Sequence, residues 1–190
     1  MILCETWITK NTKYNLEIQG YESYHLFGNK AYSTRKGRAS GGLSIYYKNE
    51  LKTDISVVET IQSGIICIRI DKKLFDFDNH VFICAIYIPP KNSRISNQND
   101  HELFDILEHC IEKYKTKGML LITDDFNSIT SNCKDFVTYD QHLDTNDALF
   151  VDSSMMPKRY NTDTLLDDYG KRLLHICKST DVIIANGRHG

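Results

Sequence analysis

Two runs of β-branched residues constrain the fold of this chain most strongly. The runs, "IICIRI" at 65–70 and "VFICAIYI" at 81–88, are separated by the polar stretch "DKKLFDFDNH". Short runs rich in isoleucine and valine around a polar connection are typical of neighbouring strands. Pro89 and Pro90 end the second run, because proline cannot donate a hydrogen bond to a sheet. The pattern predicts an antiparallel pair.

Strand and helix signals follow one another along the rest of the chain. Strands are predicted at "ILC" (2–4), at "GGLSIYYK" after the Gly41-Gly42 turn, at "MLLI" (119–122) and at "VIIA" (182–185). A first helix is indicated by the common face of Leu103, Leu107, Cys110, Ile111 and Tyr114, with Asn99 as its cap and Gly118 as its stop. A second is predicted over 164–178, with Leu166, Tyr169, Leu173 and Cys177 inward. The order predicts one layered α/β or α+β domain over residues 1–190.

Charge and cysteine usage narrow the class of protein. The net charge of −2 gives the protein no overall positive field of the kind typical of nucleic-acid-binding proteins. This does not exclude an enzyme that acts on phosphodiesters, because such an enzyme needs only a local positive groove and a metal. The six cysteines show no CxxC spacing, and Cys4, Cys67 and Cys84 lie in apolar runs. We therefore predict that these three are small core residues of a reduced, intracellular protein, located in the nucleus or the cytoplasm. We expect neither a membrane span nor a signal peptide, and "ILC" at residues 2–4 suggests that the chain begins inside a fold.

Polar side chains follow several of the predicted strands. "MLLITDDFNS" (119–128) is an apolar run, expected to be buried on both faces, that ends on Asp124, Asp125 and Asn127. Strand ends are where α/β proteins place ligands, and alternate residues of an extended chain point the same way. The alternative is a loop in which aspartate and asparagine bond their own backbone. Glu5, Tyr87, and Asn186 with Arg188 likewise follow or close apolar runs, which favours a shared polar sheet end.

The stretches "LCETW", "GGLSIYYK", "YIPP", "ITDDFNS" and "GKRLLHICKSTDVIIANGR", in this order, resemble the endonuclease/exonuclease/phosphatase family. The resemblance is nearest to the endonuclease domain of invertebrate non-LTR retrotransposons and covers almost the entire chain. It implies a four-layer α/β sandwich of the DNase I-like type, incomplete at both termini. It also implies a metal-dependent phosphodiesterase that acts on DNA as a monomer, with a reverse transcriptase domain in the parent element.

The resemblance also implies roles for individual residues. Glu5 matches the family's metal-binding glutamate and would hold Mg²⁺ or Mn²⁺. Asp125, in the slot of a Gly-Asp-x-Asn motif, would orient or deprotonate the attacking water. Asn127 would hold a phosphate oxygen, and Tyr87 matches a phosphate-facing tyrosine. Asp124 replaces the motif's glycine, and strand alternation would turn its side chain away from the cleft.

Basic and histidine residues give weaker signals. Arg35, Lys36, Arg38, Asn186 and Arg188 are candidate contacts to a nucleic-acid backbone, although a solvated loop explains the first three equally well. The histidines have no partners at ligand spacing, and His189 lacks the preceding aspartate of the family's terminal Asp-His pair. That pair and a preceding strand with an active-site aspartate are expected to be missing, as is the asparagine-bearing first strand. A catalytically inactive remnant or binding module, and a small-molecule phosphatase, therefore remain as alternatives.

Overall fold

The computed structural model describes residues 1–11, 16–28, 39–61, 64–91, 93, 100–137 and 157–188. The chain divides into two compact units, Met1–Asn127 and Ser128–Gly190, here called the N-terminal and C-terminal units. The described residues form a mixed α/β structure with sheets of three and four strands and two α-helices. The α/β class is thus confirmed, whereas one domain over 1–190 stays a prediction.

The first sheet of the N-terminal unit has three antiparallel strands. They are β1 (Ile2–Cys4), β2 (Tyr21–Leu26) and β3 (Leu43–Lys48), in the order β1-β3-β2. Gly41 and Gly42, with φ of 74° and 95°, lead the chain into β3. A side chain at Gly42 would lie 2.7 Å from Thr6 Oγ1, so glycine is required for this close approach. The strands predicted at 2–4 and after the glycine pair are confirmed, and β2 was not predicted.

The second sheet contains both runs of β-branched residues. Its strands are β4 (Ile55–Ile61), β5 (Ile65–Ile70), β6 (Val81–Tyr87) and β7 (Met119–Asp125), in the order β4-β5-β6-β7. The antiparallel pairing of β5 with β6 is confirmed. Strand β7 pairs with β6 in parallel, so that Tyr87 and Asp125, the last residues of the two strands, lie side by side.

The two sheets share one buried cluster. It contains Leu26, Leu43, Ile45, Ile55, Ile66, Ile68, Ile70, Ala85 and Tyr87. On the second sheet, Ile66, Ile68, Ala85 and Tyr87 are alternate residues of β5 and β6, as expected when one face of a strand is directed at a core. Tyr87 therefore has its ring in the core and its hydroxyl at the end of the sheet.

Helix α1 (Asp100–Lys115) contacts the second sheet. The rings of Tyr114 and Phe82 lie 5.0 Å apart between their centroids. All five residues predicted to face inward are buried: Leu103, Leu107, Cys110, Ile111 and Tyr114. The helical prediction is confirmed, while its proposed cap, Asn99, lies outside the described residues.

Strand β7 differs from the sequence-based expectation of burial on both faces. Met119 and Leu121 are 54% and 51% exposed. The reason is topological, because β7 is at the edge of its sheet and, within the described ranges, is hydrogen-bonded to β6 alone. The carboxyl end of β7 is held by β6 and by the bond from Ile88 N to Asp125 O, at 2.9 Å.

The cysteine prediction is wrong for two of the six residues. Cys67 and Cys84 form a disulfide, whereas the sequence indicated free core thiols. The antiparallel register of β5 and β6 sets these residues directly opposite each other, although 17 positions separate them. Cys4, Cys110, Cys133 and Cys177 are free.

The C-terminal unit contains α2 (Asp168–Thr180), which begins later than predicted. Asp167 caps it by accepting a 2.6 Å hydrogen bond from Gly170 N, so Leu166 lies before the helix. Tyr169 and Cys177 are buried as predicted. No strand forms at 182–185, which corrects that prediction, because Ile184 N donates at 2.6 Å to Asp135 Oδ2 and not to a sheet partner.

Residues 138–156 lie outside the described part of the chain. Among the described helices, none has both the length and the apolar character needed to cross a membrane.

Candidate functional site

The polar end of the N-terminal unit is organised around Tyr87. Its hydroxyl donates a 2.7 Å hydrogen bond to Glu5 Oε1. Burial raises the pKa of Tyr87, and the hydrogen bond to Glu5 and the negative charges of Glu5 and Asp125 raise it further. The phenol is therefore a fixed hydrogen-bond donor at neutral pH, and one oxygen of the Glu5 carboxylate is held by it.

Glu5 is positioned by an unusual backbone segment. Glu5 and Trp7 both have φ of 51°, in the left-handed region that non-glycine residues seldom adopt. Trp7 N donates to Gly41 O at 3.0 Å, which fixes the segment beside the loop that enters β3. A side chain at Gly41 would meet Tyr87 Cε1 at 3.3 Å, so the glycine leaves room for the tyrosine ring. Residues in strained conformations cluster at functional sites.

Asp125 and Asn127 form a closed pair next to Tyr87. Asp125 Oδ1 accepts from Asn127 N at 2.9 Å, and Asp125 Oδ2 accepts from Asn127 Nδ2 at 3.0 Å. Asn127 Nδ2 also donates to Ile88 O at 2.8 Å. The bond from Asn127 N to Asp125 Oδ1 forms an Asx turn, which is the loop structure that the sequence left open as the alternative to a ligand site. Each carboxylate oxygen has a second lone pair, so the pair can still accept from water or bind a cation.

Asp124 lies next to β1. The thiol of Cys4, the residue before Glu5, donates a hydrogen bond to its carboxylate. Burial raises the pKa of Asp124, and the negative charge of Asp125 raises this pKa further. The hydrogen bond from Cys4 lowers the pKa but does not cancel the increase. Its Oδ2 is buried without a hydrogen-bond partner. Asp124 has φ of 103°, a positive value that non-glycine residues seldom adopt. The direction of its side chain relative to the cleft stays a prediction.

The donor set suits a hard divalent cation. Glu5 and Asp125 provide carboxylate oxygens, and Oδ2 of Asp124, the residue before Asp125, is buried without a hydrogen-bond partner. Among the described residues, the carboxylate oxygens of Glu5, Asp124 and Asp125 do not all lie within 4.8 Å of one another. Magnesium commonly uses one or two protein carboxylates and keeps several waters, so such a tight cluster is not required.

The candidate nucleic-acid contacts have different outcomes. Arg35, Lys36 and Arg38 lie outside the described residues. Asn186, in the C-terminal unit, is exposed in a turn. Arg188 is 8% exposed, and its guanidinium donates to Asp135 Oδ1, to Pro157 O and, at 2.9 Å, to Ile184 O. We correct the assignment of Arg188 as a nucleic-acid contact, because its donors are used inside the unit.

Sequence reasoning missed one polar cluster in the N-terminal unit. Glu59, Cys67 and Cys110 have ligand atoms within 4.8 Å of one another, although they come from two strands and a helix. The one available signal was a glutamate inside the apolar strand "ISVVETI".

Comparison of this chain with protein-family models, with curated proteins and with solved structures found no match.

Proposed function

We propose that the N-terminal unit carries the metal- and phosphate-binding part of a Mg²⁺- or Mn²⁺-dependent phosphodiesterase that acts on DNA, as an endonuclease does. The observation that carries the proposal is the hydrogen bond between Tyr87 and Glu5, made beside the Asp125–Asn127 pair. These residues are far apart in the chain, and the family resemblance implied that they meet at one catalytic site.

The finer architecture belongs to the same proposal. We assign the chain to the four-layer sandwich of the DNase I-like type, in the endonuclease/exonuclease/phosphatase family. In support, the N-terminal unit has two sheets that share a core and a helix that contacts the second sheet. A retroelement endonuclease would act as a monomer inside the cell, encoded together with a reverse transcriptase.

Each residue has a distinct task in this mechanism. Glu5 would hold the cation through Oε2, since Tyr87 already donates to Oε1. When bound, Mg²⁺ neutralises charge on the phosphoryl group and assists departure of the leaving oxygen. Asp125 accepts a hydrogen bond from the attacking water and orients it towards phosphorus. Asn127 Nδ2 would exchange its bond to Asp125 Oδ2 for one to a phosphate oxygen, where negative charge increases in the transition state, while Tyr87 keeps its hydroxyl proton on Glu5 Oε1 and orients that carboxylate.

One alternative is favoured by a specific observation. Asn127 engages both oxygens of Asp125, and Asp124 places a further carboxyl group where the family motif has glycine. The neighbouring negative charges of Asp124 and Asp125, and the hydrogen bonds from Asn127 that both Asp125 oxygens already accept, favour an inactive module that binds a partner without a metal.

Metal binding separates the two functions. We expect saturable binding of Mn²⁺ to the intact chain, followed by electron paramagnetic resonance and displaced by Mg²⁺. Glu5→Gln removes this binding, because the amide keeps the side-chain volume but loses the charge. Glu50→Gln is the matched control: its carboxylate is exposed and pairs with Lys48 at 3.3 Å, so binding is unchanged. Equal binding by wild type and Glu5→Gln would overturn the proposal, and absence of binding in the wild type would support the inactive module.

Phosphate binding is tested on the same proteins. Fluorescence anisotropy with a labelled DNA duplex should show Mg²⁺-enhanced binding that Asn127→Ala weakens, because the amide donor is lost. Binding that is independent of Mg²⁺ and of Asn127 would count against a phosphodiester site.

A further inference from the structure

A row of sulfur and carboxylate groups crosses the second sheet under α1. Glu59 is paired with Cys67 across β4 and β5, and Cys67 is paired with Cys84 across β5 and β6. Cys110 of α1 lies over this row, with its Sγ 4.0 Å from Glu59 Oε2. Cys67, Cys84 and Cys110 are at most 1% exposed. Glu59, Cys67 and Cys110 therefore meet in one place, with Cys84 bonded to Cys67 beside them, and none of the four belongs to the Glu5–Tyr87 site.

A β-bulge places Glu59 in this row. The pairing of β4 with β5 shifts between Val57 and Glu59, so Val58 is an extra residue. Val57 packs against the core shared by the sheets, and regular alternation would direct Glu59 to that same apolar side. The extra residue turns Glu59 to the side of α1. Bulges re-aim side chains in this way and are commonly found next to functional sites.

Two side chains of α1 hold the Glu59 carboxylate. Lys113 Nζ donates to Oε1 at 2.9 Å and Tyr114 Oη donates to Oε2 at 2.8 Å. Burial raises the pKa of Glu59, but these two bonds and the charge of Lys113 outweigh burial and leave the pKa below its usual range. Glu59 is thus a charged, oriented carboxylate with outer contacts of the kind that fix metal ligands.

We propose that, when the Cys67–Cys84 disulfide is reduced, Cys67, Cys84, Cys110 and Glu59 bind one Zn²⁺ ion. Zinc prefers four ligands of this kind in tetrahedral arrangement. With Zn–S bonds of about 2.3 Å, neighbouring ligand atoms of a tetrahedral site are about 3.8 Å apart. The ligand atoms of Glu59, Cys67 and Cys110 already lie within 4.8 Å of one another, so a modest contraction brings these three to tetrahedral spacing, and Cys84 supplies the fourth ligand. Reduction frees Cys84 Sγ directly beside Cys67.

The chemistry balances with a dithiol as the reductant. The dithiol gives two electrons and two protons to the Cys67–Cys84 bond and becomes a disulfide itself. Zinc then displaces the protons of the three thiols, and Glu59 binds as a carboxylate. Without metal, burial and the charge of Glu59 raise the pKa of Cys110 to about 11, so its thiol stays protonated until an ion replaces the proton. Three thiolates and one carboxylate are balanced in part by Zn²⁺ and the ammonium group of Lys113, so the loaded site carries one net negative charge.

The disulfide and the zinc site exclude each other, because both use the sulfur atoms of Cys67 and Cys84. Oxidation of the reduced, zinc-loaded protein would expel the ion and restore the covalent link between β5 and β6. The reduced chain therefore binds zinc and the oxidised chain does not.

Cobalt substitution tests the proposal. The intact chain is reduced with dithiothreitol, freed of reductant without oxygen, and titrated with Co²⁺ in excess Mg²⁺ so that hard-oxygen sites are filled. We expect a near-ultraviolet thiolate-to-cobalt band and visible bands of tetrahedral Co²⁺, saturating at one equivalent and displaced by Zn²⁺. The oxidised chain should give neither. Absence of these bands in the reduced wild type would overturn the proposal.

Variants locate the ion. Cys110→Ser should weaken the charge-transfer band, because one thiolate is lost. Cys177→Ser is the matched control, since Cys177 is also buried and free but lies in the C-terminal unit. Lys113→Met, which alters only the support of Glu59, should lower zinc affinity ~10–100-fold. If Cys110→Ser does not fold, Glu59→Gln replaces it and should weaken Zn²⁺ binding measured by competition with a chromophoric chelator. Spectra and affinities that are unchanged in Glu59→Gln, or in folded Cys110→Ser, would contradict the site.

Discussion

Tyr87 donates a 2.7 Å hydrogen bond to Glu5 across 82 positions of sequence. Tyr87 is the last residue of β6 and Glu5 directly follows β1, so this bond joins the polar ends of the two sheets. Since burial and the charge of Glu5 raise the pKa of Tyr87, the phenol keeps its proton and the bond persists through the neutral range.

Replacement of Tyr87 by phenylalanine should destabilise the N-terminal unit. A hydrogen bond to a charged group contributes ~1.5–3 kcal/mol, and Glu5 Oε1 would also lose its partner. The free energy of unfolding, measured with urea, should fall by that amount. Tyr24→Phe is the matched control, because Tyr24 Oη bonds the neutral Thr60 Oγ1 at 2.9 Å and the expected loss is ~0.5–1.5 kcal/mol. Equal losses in the two variants would show that the Glu5 bond has no special weight.

Gly64 should tolerate alanine less well than Gly20. Gly64 and Gly20 have positive φ, +138° and +84°, so alanine strains the backbone at both positions. At Gly64 the new methyl group would also lie 2.5 Å from Tyr87 O, whereas at Gly20 it meets nothing within 4 Å. Crowding of this kind costs ~1–3 kcal/mol. Urea unfolding should therefore show a larger loss for Gly64→Ala, and the reverse order would contradict the contact with Tyr87.

The sequence predicted a shared polar sheet end for Glu5, Tyr87 and Asp125, because strand ends are marked by apolar runs followed by polar residues. In the structure these residues do meet, but Glu5 follows a strand of the first sheet and the other two end strands of the second. The sequence could not predict the position of Glu59. Strict alternation along β4 groups Glu59 with Val57, and the bulge at Val58 depends on pairing with β5. Such pairing is a long-range property with no local signal.

The failed strand at 182–185 has a similar cause. An apolar run of four residues is compatible with a strand, yet Ile184 N is bound by the carboxylate of Asp135, which is 49 positions away. The Cys67–Cys84 disulfide was missed for the same reason, since it follows from the register of β5 and β6.

Acid should destabilise the oxidised chain partly through Glu59. Its folded-state pKa lies below the ordinary value of 4.5, so its contribution to stability is present above pH 4.5 and is lost as the pH falls through the lower folded-state value. Glu59→Gln should flatten this part of the acid limb. Urea midpoints measured from about pH 7 to about pH 3 check the expectation. Glu50→Gln, which alters an exposed pair with Lys48, should leave the limb unchanged. An acid limb in Glu59→Gln as steep as in the wild type would contradict this assignment.

The buried pair of Arg188 and Asp135 should be essential to the C-terminal unit. Their side chains are 3% and 1% exposed, and Asp135 also accepts from Ile184 N. Arg188→Met leaves a buried carboxylate without its counter-charge, which costs ~3–5 kcal/mol. Lys171→Met is the control, because Lys171 pairs with Asp168 on the surface and the expected loss is ~0–1 kcal/mol. Amide hydrogen exchange across α2 reports the local loss, and similar protection in both variants would refute the prediction.

Hydrolysis by the 190-residue chain should be undetectable even if the cation binds. Glu5, Tyr87, Asp125 and Asn127 supply carboxylates, a phenol and an amide, but none of the four is a histidine able to exchange protons with water near neutral pH. Loss of one acid–base group lowers a rate by ~10²–10⁴. We therefore expect no Mg²⁺-dependent nicking of supercoiled plasmid DNA on agarose gels. Robust nicking that Asp125→Ala abolishes and the surface variant Asp168→Ala retains would overturn this expectation, and would show that Asp125 activates water without an imidazole.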